Sequence, residues 1–319
     1  MHSKAANTPA NKIRDMVIHF LGSSLADLLR QIHAWMTESC SEIALDPSMT
    51  RPLVRTSLAA LLMLLTPWAH ALVFAVNEGV TYRVPYEEIR GRYAAIAADL
   101  SKLLKQPVTV VPIADYPSLR AGLAAKRYDL AMVHPAHVSI TAIKESGYRL
   151  VAVTKGYQNY RASFLIRADS PLKSLDDLKA TRLMVPDEDS ITAWMVRATL
   201  RDAKLDPKTM NITYTRYQDA IPFAVENKLA QSGATAANAI VKAWQAKGGK
   251  LLLQSRPVPI KHIIASPSLS AEQIEKVRDY LVGLDTTDEG RKKLEPSKYS
   301  GFERYDKAAL LAVGTWLGL

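Results

Sequence analysis

Downstream of Leu72 the side chains able to cut, transfer or ligate are few. Three histidines are present, His134, His137 and His262, and no cysteine. His134 and His137 stand three apart, which would put both on one helical face, but Pro135 between them argues against a regular helix there. Asp187 and Asp189 form an acidic pair two apart, a spacing too common to mark a site. HExxH, CxxC, GxSxG, Walker and GxGxxG patterns are absent, so metal, acyl-transfer, nucleotide and dinucleotide chemistry lack their usual cradles, and no cofactor is expected. One segment does fit a task. In Asp187-Glu188-Asp189-Ser190-Ile191-Thr192-Ala193-Trp194, hydroxyls at Ser190 and Thr192 stand at the start of an amphipathic helix reaching about Ala203. The amides of its first turn, the positive end of the helix dipole and those hydroxyls would together hold an anion just past the end of a strand over 182–185. Ser190 as a plain helix cap is the equal alternative.

The elements around that segment alternate. Short β-rich runs at 72–76, 108–111, 130–133, 150–153, 162–166, 182–185, 212–214, 251–253 and 262–265 are separated by amphipathic stretches, the pattern of α/β layers with mostly parallel strands. After the first run, Ile89, Tyr93, Ile96, Ala97, Leu100, Leu103 and Leu104 share one helical face. Pro112 stops the second run, and Pro117 suits a first helical turn, making Tyr116 the expected N-cap of a helix to about Ala125. Ser174 with Asp177, and Ser270 with Gln273, carry the spacing of capping boxes and mark two more helix starts. With no repeat and no Pro/Ser-rich linker, two lobes would be joined by strands and would bind by closing on each other.

The N-terminal part has another character. Arg51 and Arg55, the apolar run 58–65 and Ala69-His70-Ala71 have the layout of a cleavable export signal over Thr50–Ala71. The run is far shorter than the ~20 apolar residues of a membrane span. Residues 1–48 are too acidic for a signal's leading segment and read as an extension upstream of a start at Met49, with a genuine helical extension as the alternative. Cleavage after Ala71 leaves 248 residues, enough for two modest lobes, and discards the single cysteine, Cys40. Of the chain's 41 Lys and Arg and 31 Asp and Glu, 6 and 5 lie in residues 1–71, leaving 35 and 26 and a net charge of +9. The excess favours anionic partners. It is scattered, without aromatic-plus-basic motifs, so nucleic acid is not expected.

Several short segments, in order, resemble a known family. Asp115-Tyr116-Pro117, Tyr128-Asp129-Leu130-Ala131, Tyr160 followed by Ser163-Phe164-Leu165-Ile166, Asp169-Ser170-Pro171 and Leu175-Asp176-Asp177-Leu178 are similar to the phosphate, phosphite and phosphonate binding proteins of ABC importers, and Asp187–Trp194 is similar to that family's hydroxyl loop. The resemblance runs from Leu72 to about Trp316 and implies a type II periplasmic binding fold, two α/β lobes joined by hinge strands. Lobe 1 would comprise 72–158 plus 260–319 and lobe 2 would comprise 159–259. Tyr116 and Tyr160 match tyrosines lining the cleft, and Ser190 and Thr192 match positions that hold phosphoryl oxygens. The chain departs from the pattern at Ile191, at Ala162 and at Gln218, which stand where a hydroxyl, a serine and a histidine are expected. Asn238 and Lys261 stand where aminoalkylphosphonate binders carry two acids, which disfavours a ligand amine; Lys261 pointing to solvent is the alternative.

The implied ligand site is therefore Tyr116, Tyr160, Ser190, Thr192, Gln218, Asn238 and Lys261, with no catalytic and no metal-ligating residue. The implied function is a monomeric periplasmic protein that captures a small phosphate-like or phosphonate-like oxyanion for an inner-membrane ABC permease. Signalling to a membrane sensor kinase is one alternative, and an exported enzyme on the same scaffold is another.

Overall fold

A computed structural model describes residues 71–79 and 84–319. The expected extension 1–48 and the export signal up to His70 lie outside the described residues.

The described chain builds two mixed sheets. The first takes β1 (Leu72–Asn77), β2 (Val108–Pro112), β3 (Leu130–Val133), β4 (Arg149–Thr154), β10 (His262–Ala265) and β11 (Phe302–Glu303), in the order β11-β4-β10-β3-β1-β2. The second takes β5 (Ser163–Ile166), β6 (Leu183–Pro186), β7 (Ile212–Thr215), β8 (Ser232–Thr235) and β9 (Lys250–Gln254), in the order β7-β6-β8-β5-β9. In each sheet the βαβ units give parallel neighbours, β1 beside β2 and β3, and β6 beside β7 and β8. The strands flanking the crossings, β5 and β10, run antiparallel to theirs. The expectation of mostly parallel strands is thus half met, because a strand that returns from the other sheet enters from the opposite end.

The chain crosses between the sheets twice, after β4 and after β9. The two crossing segments pair with each other at Tyr160 and Val258, with Tyr160 N donating to Val258 O at 3.3 Å and Val258 N to Tyr160 O at 2.9 Å. A hinge made of paired extended backbone bends about few dihedrals while keeping its amides satisfied.

Helices α1 (Tyr86–Leu104), α2 (Tyr116–Ala124), α3 (Ala136–Glu145), α4 (Ile191–Asp202), α5 (Ala220–Glu226), α6 (Asn238–Ala246), α7 (Ala271–Gly283), α8 (Asp288–Leu294) and α9 (Lys307–Leu317) cover the sheets. The α1 face expected from spacing is buried, with Leu103 at its margin. Ser270 and Gln273 form the full capping box of α7. Two helix starts differ from expectation. Asp115, not Tyr116, caps α2, because its carboxylate accepts from Ser118 N at 2.7 Å while Tyr116 is already helical. Ser174 and Asp177 introduce only one 3₁₀ turn, Asp176–Leu178: Asp177 turns back to accept the Lys173 and Ser174 amides, and β6 starts at Leu183, leaving no room for more helix.

Strand β8 escapes a hydropathy pattern altogether. Its Ser-Gly-Ala-Thr is fully buried in the middle of the second sheet, under α5. A Cβ on Gly233 would meet Ile221 Cγ2 at 2.5 Å, so the small residue lets the helix sit on the strand. Helix α9 joins the two halves, packing on α3 and α4. Arg201 donates to Leu317 O at 2.7 Å and Trp316 Nε1 to Asp202 Oδ2 at 2.9 Å, while Gly314 lets α9 approach Ile140. No helix among the described residues is long and apolar enough to cross a membrane.

Candidate functional site

A cavity of about 490 Å³ lies beside the hinge and is lined from both sheets. Its wall includes four of the seven expected site residues, Tyr160, Gln218, Asn238 and Lys261. Tyr160 comes from a crossing segment. Gln218 precedes α5 and is buried; its Oε1 accepts from Thr235 Oγ1 at 2.7 Å and from Ala236 N at 3.3 Å. Because Ala236 N can only donate, these contacts fix the amide orientation and leave the two N–H donors of Nε2 on the other side. Asn238 is exposed at the rim as the first residue of α6. That helix has Ala237 as its N-cap and no side-chain cap bond, and Ala236, Ala237, Asn238 and Ala239 all line the cavity. Its first turn and the positive end of its dipole therefore border the cavity, an arrangement suited to an oxyanion. No sequence signal marked this turn, because alanines carry no capping signature.

Lys261 does not point to solvent. It is 8 % exposed, and its ammonium is surrounded: Nζ donates to Tyr299 Oη at 2.9 Å, lies 3.7 Å from Glu78 Oε2, and sits 4.3 Å and 4.4 Å from the ring centroids of Tyr157 and Tyr299. Glu78 in turn accepts from the hydroxyls of Tyr93 and Tyr299, both at 2.7 Å, and Arg92 Nη1 approaches it to 3.8 Å. Burial pushes the Lys261 ammonium below its ordinary value, and Glu78 opposes that. Burial, with Glu78 beside them, pushes the Tyr93 and Tyr299 phenols well above theirs. None of Glu78, Arg92, Tyr157 and Tyr299 was expected from the sequence. Glu78 alone carried a signal, standing just past the carboxyl end of a parallel strand. Gly79 follows it with φ +96, a conformation that favours glycine, with the His134 ring packed against it. His134 is half-buried in the cavity wall, and desolvation of its ring pushes the imidazole down to about 3.

The other three expected residues are not among those lining this cavity; they lie where α2, α3 and the start of α4 meet. Ser190 Oγ accepts from Ala193 N at 3.2 Å, so it caps α4, and its own proton is still available to donate. Thr192 is buried in the first turn of α4. Tyr116, buried in α2, packs edge-on against His137, which stacks on Trp194 at 5.2 Å. Asp189, dismissed from sequence as part of a common acidic pair, reaches from the second sheet's half to the first: Arg120 of α2 grips its carboxylate bidentately at 2.7 and 3.1 Å. His137 Nε2 is 3.4 Å from the same carboxylate, without hydrogen-bond geometry. Burial alone would raise the Asp189 carboxyl, but His137 and Arg120 hold it well below the usual range. Burial keeps the His137 ring below its ordinary value despite Asp189. His137 belongs to α3, whose first residue follows Pro135, so Pro135 ends the approach to the helix and His134 stands outside it. Among the described residues no group of three or more His, Cys, Asp or Glu is placed to hold a metal ion.

Comparison with known proteins agrees with this architecture. No curated protein sequence matches the chain. Among solved structures, XAC2383 from Xanthomonas citri, bound to chloride ion, superposes with a TM-score of 0.65 at 14% identity, covering 78% of this chain and 97% of that one. PhnD1 from Prochlorococcus marinus in complex with methylphosphonate gives 0.58 at 15% identity, covering 77% and 96%. A binding-protein component of an ABC phosphonate transporter, PA3383 from Pseudomonas aeruginosa, gives 0.54 at 19% identity, covering 77% and 85%. These likenesses fix the fold as type II periplasmic binding. The family model described as ABC transporter, phosphonate, periplasmic substrate-binding protein matches residues 79–310. With two mixed sheets, a paired-strand hinge, a cavity between them and that match over most of its length, the chain belongs to the phosphonate periplasmic substrate-binding protein family of ABC transporters.

Proposed function

We propose that this solute-binding protein holds a phosphonate-like or phosphate-like oxyanion in the cavity between its sheets and hands it, without turnover, to an inner-membrane ABC permease. The lobes are the two sheets with their helices, 72–158 plus 260–319 and 159–259, and the protein acts as a monomer exported through the signal ending at Ala71. The observation that carries this reading is the uncapped N-terminus of α6 opening on the cavity beside the oriented amide of Gln218. Charge-assisted bonds from such neutral donors hold an oxyanion without a counter-ion. Tyr160, Gln218, Asn238 and Lys261 set what the substituent meets, and Ser190 and Thr192, on the same half as α6, with Tyr116 opposite them, extend the site toward the junction of α2, α3 and α4.

A thermal-shift screen of residues 72–319 against phosphate, phosphite, alkylphosphonates, sulfonates and carboxylates tests this. A ligand at 100 times its Kd adds about 2.7 kcal/mol, which for a chain of this size raises Tm by about 5–10 °C. Phosphorus oxyanions should give that shift. A shift only with another class would overturn the ligand assignment, and turnover of the ligand would overturn capture.

A further inference from the structure

Lys261 occupies a site with the properties of a receptor for a foreign ammonium. The face of Tyr157, the hydroxyl end of Tyr299 and a carboxylate converge on its Nζ, and that set is what an aromatic box supplies to a primary amine. The box opens on the cavity, whose wall includes Glu78, Tyr157 and Lys261. We infer that the corner made by Glu78, Tyr157 and Tyr299 is an ammonium-binding box filled by the chain's own Lys261, and that this filling excludes amine-bearing ligands. Glu78 is also approached by Arg92, whose guanidinium is gripped by Glu88 at 2.6 Å, so the carboxylate beside Lys261 is already paired. A ligand amine entering the cavity finds the box's tyrosines and carboxylate already taken by an ammonium of the chain itself. A ligand with a neutral or anionic substituent meets no such penalty.

The consequence for ligand choice rests on the oxyanion reading above, but the box itself does not. In Lys261→Ala the box is vacated, while Arg92 still accompanies Glu78 and supports folding. The probe is methylammonium chloride, compared with sodium chloride at equal concentration, read as Tm. At about 100 mM, methylammonium should raise the Tm of Lys261→Ala by about 2 °C or more over sodium, and leave wild type and Lys261→Met, where an uncharged chain fills the box, unchanged. Equal response of all three proteins, or none, overturns the inference. Lys261→Gln provides a second measurement if the alanine variant proves too unstable: calorimetry should show the affinity ratio of 2-aminoethylphosphonate to ethylphosphonate rising at least about 10-fold over wild type. An unchanged ratio overturns the inference. Methylammonium rescue without binding of either phosphonate would instead sink the proposed ligand class and leave the box standing.

Discussion

Replacing Asp189 by alanine removes the carboxylate through which α2 of one half grips the turn before α4 of the other. Arg120 makes two parallel hydrogen bonds to it, at 2.7 and 3.1 Å, and the two side chains are 39 % and 34 % exposed. Bidentate geometry raises the value of such a pair, and partial exposure lowers it, so a coupling energy of about 1 kcal/mol is expected. Because the bond exists only when the halves are close, its loss falls on the closed form and shifts the open–closed balance by about 5-fold. If the free protein is mostly open, oxyanion affinity drops by about the same factor. The assay is a double-mutant cycle over Arg120→Ala, Asp189→Ala and the double variant, using calorimetric Kd with Trp194 fluorescence as a second reporter, since its indole stacks on His137 across the same contact. The coupling should shrink in 0.5 M salt, as expected for a half-exposed pair. Strictly additive effects of the two substitutions on Kd would refute the argument that this pair favours closure.

Acid should weaken the fold before the carboxylates titrate. Desolvation pushes His134 down to about 3 and burial pushes His262 down to about 4, the latter against the bond that Nε2 donates to Pro259 O at 3.1 Å. Both bind a proton more readily when unfolded, so stability is full above the unfolded value near 6.5 and falls as pH drops toward the folded values. Unfolding free energies from urea titrations at pH 7 and pH 5 should differ by about 2 kcal/mol for each histidine, and a flat response would show that neither is held neutral by the fold. Gly233→Val should cost about 1–3 kcal/mol in urea unfolding, because its Cβ would meet Ile221 Cγ2 at 2.5 Å and Val225 Cγ2 at 3.0 Å; a neutral effect would mean that α5 does not rest on β8.

Where a segment's own side chains decide its structure, the sequence was sufficient. Ile89, Tyr93, Ile96 and Leu100 define the buried face of α1 by spacing alone, and Ser270 with Gln273 caps α7 through neighbours three apart. Strand β8 was hidden because Ser232–Thr235 is chosen for smallness under α5, and no apolar run announces it. The box around Lys261 was hidden for another reason: Glu78, Tyr157 and Tyr299 come from three distant parts of the chain and meet only when β1, the first crossing and the loop before β11 are assembled. Asp189 was passed over because its partner Arg120 lies on the other side of the hinge. The family resemblance brought Lys261 and Gln218 into view as departures. Folding shows that Lys261 is buried with its own carboxylate and that Gln218 has a fixed amide.

The most direct measurement is the position of phosphorus in a crystal of residues 72–319 grown with methylphosphonate. The account predicts the oxyanion between the two sheets, within hydrogen-bond reach of the first turn of α6 and the Gln218 amide. Phosphorus bound outside that space, or absent at saturating ligand, would contradict it.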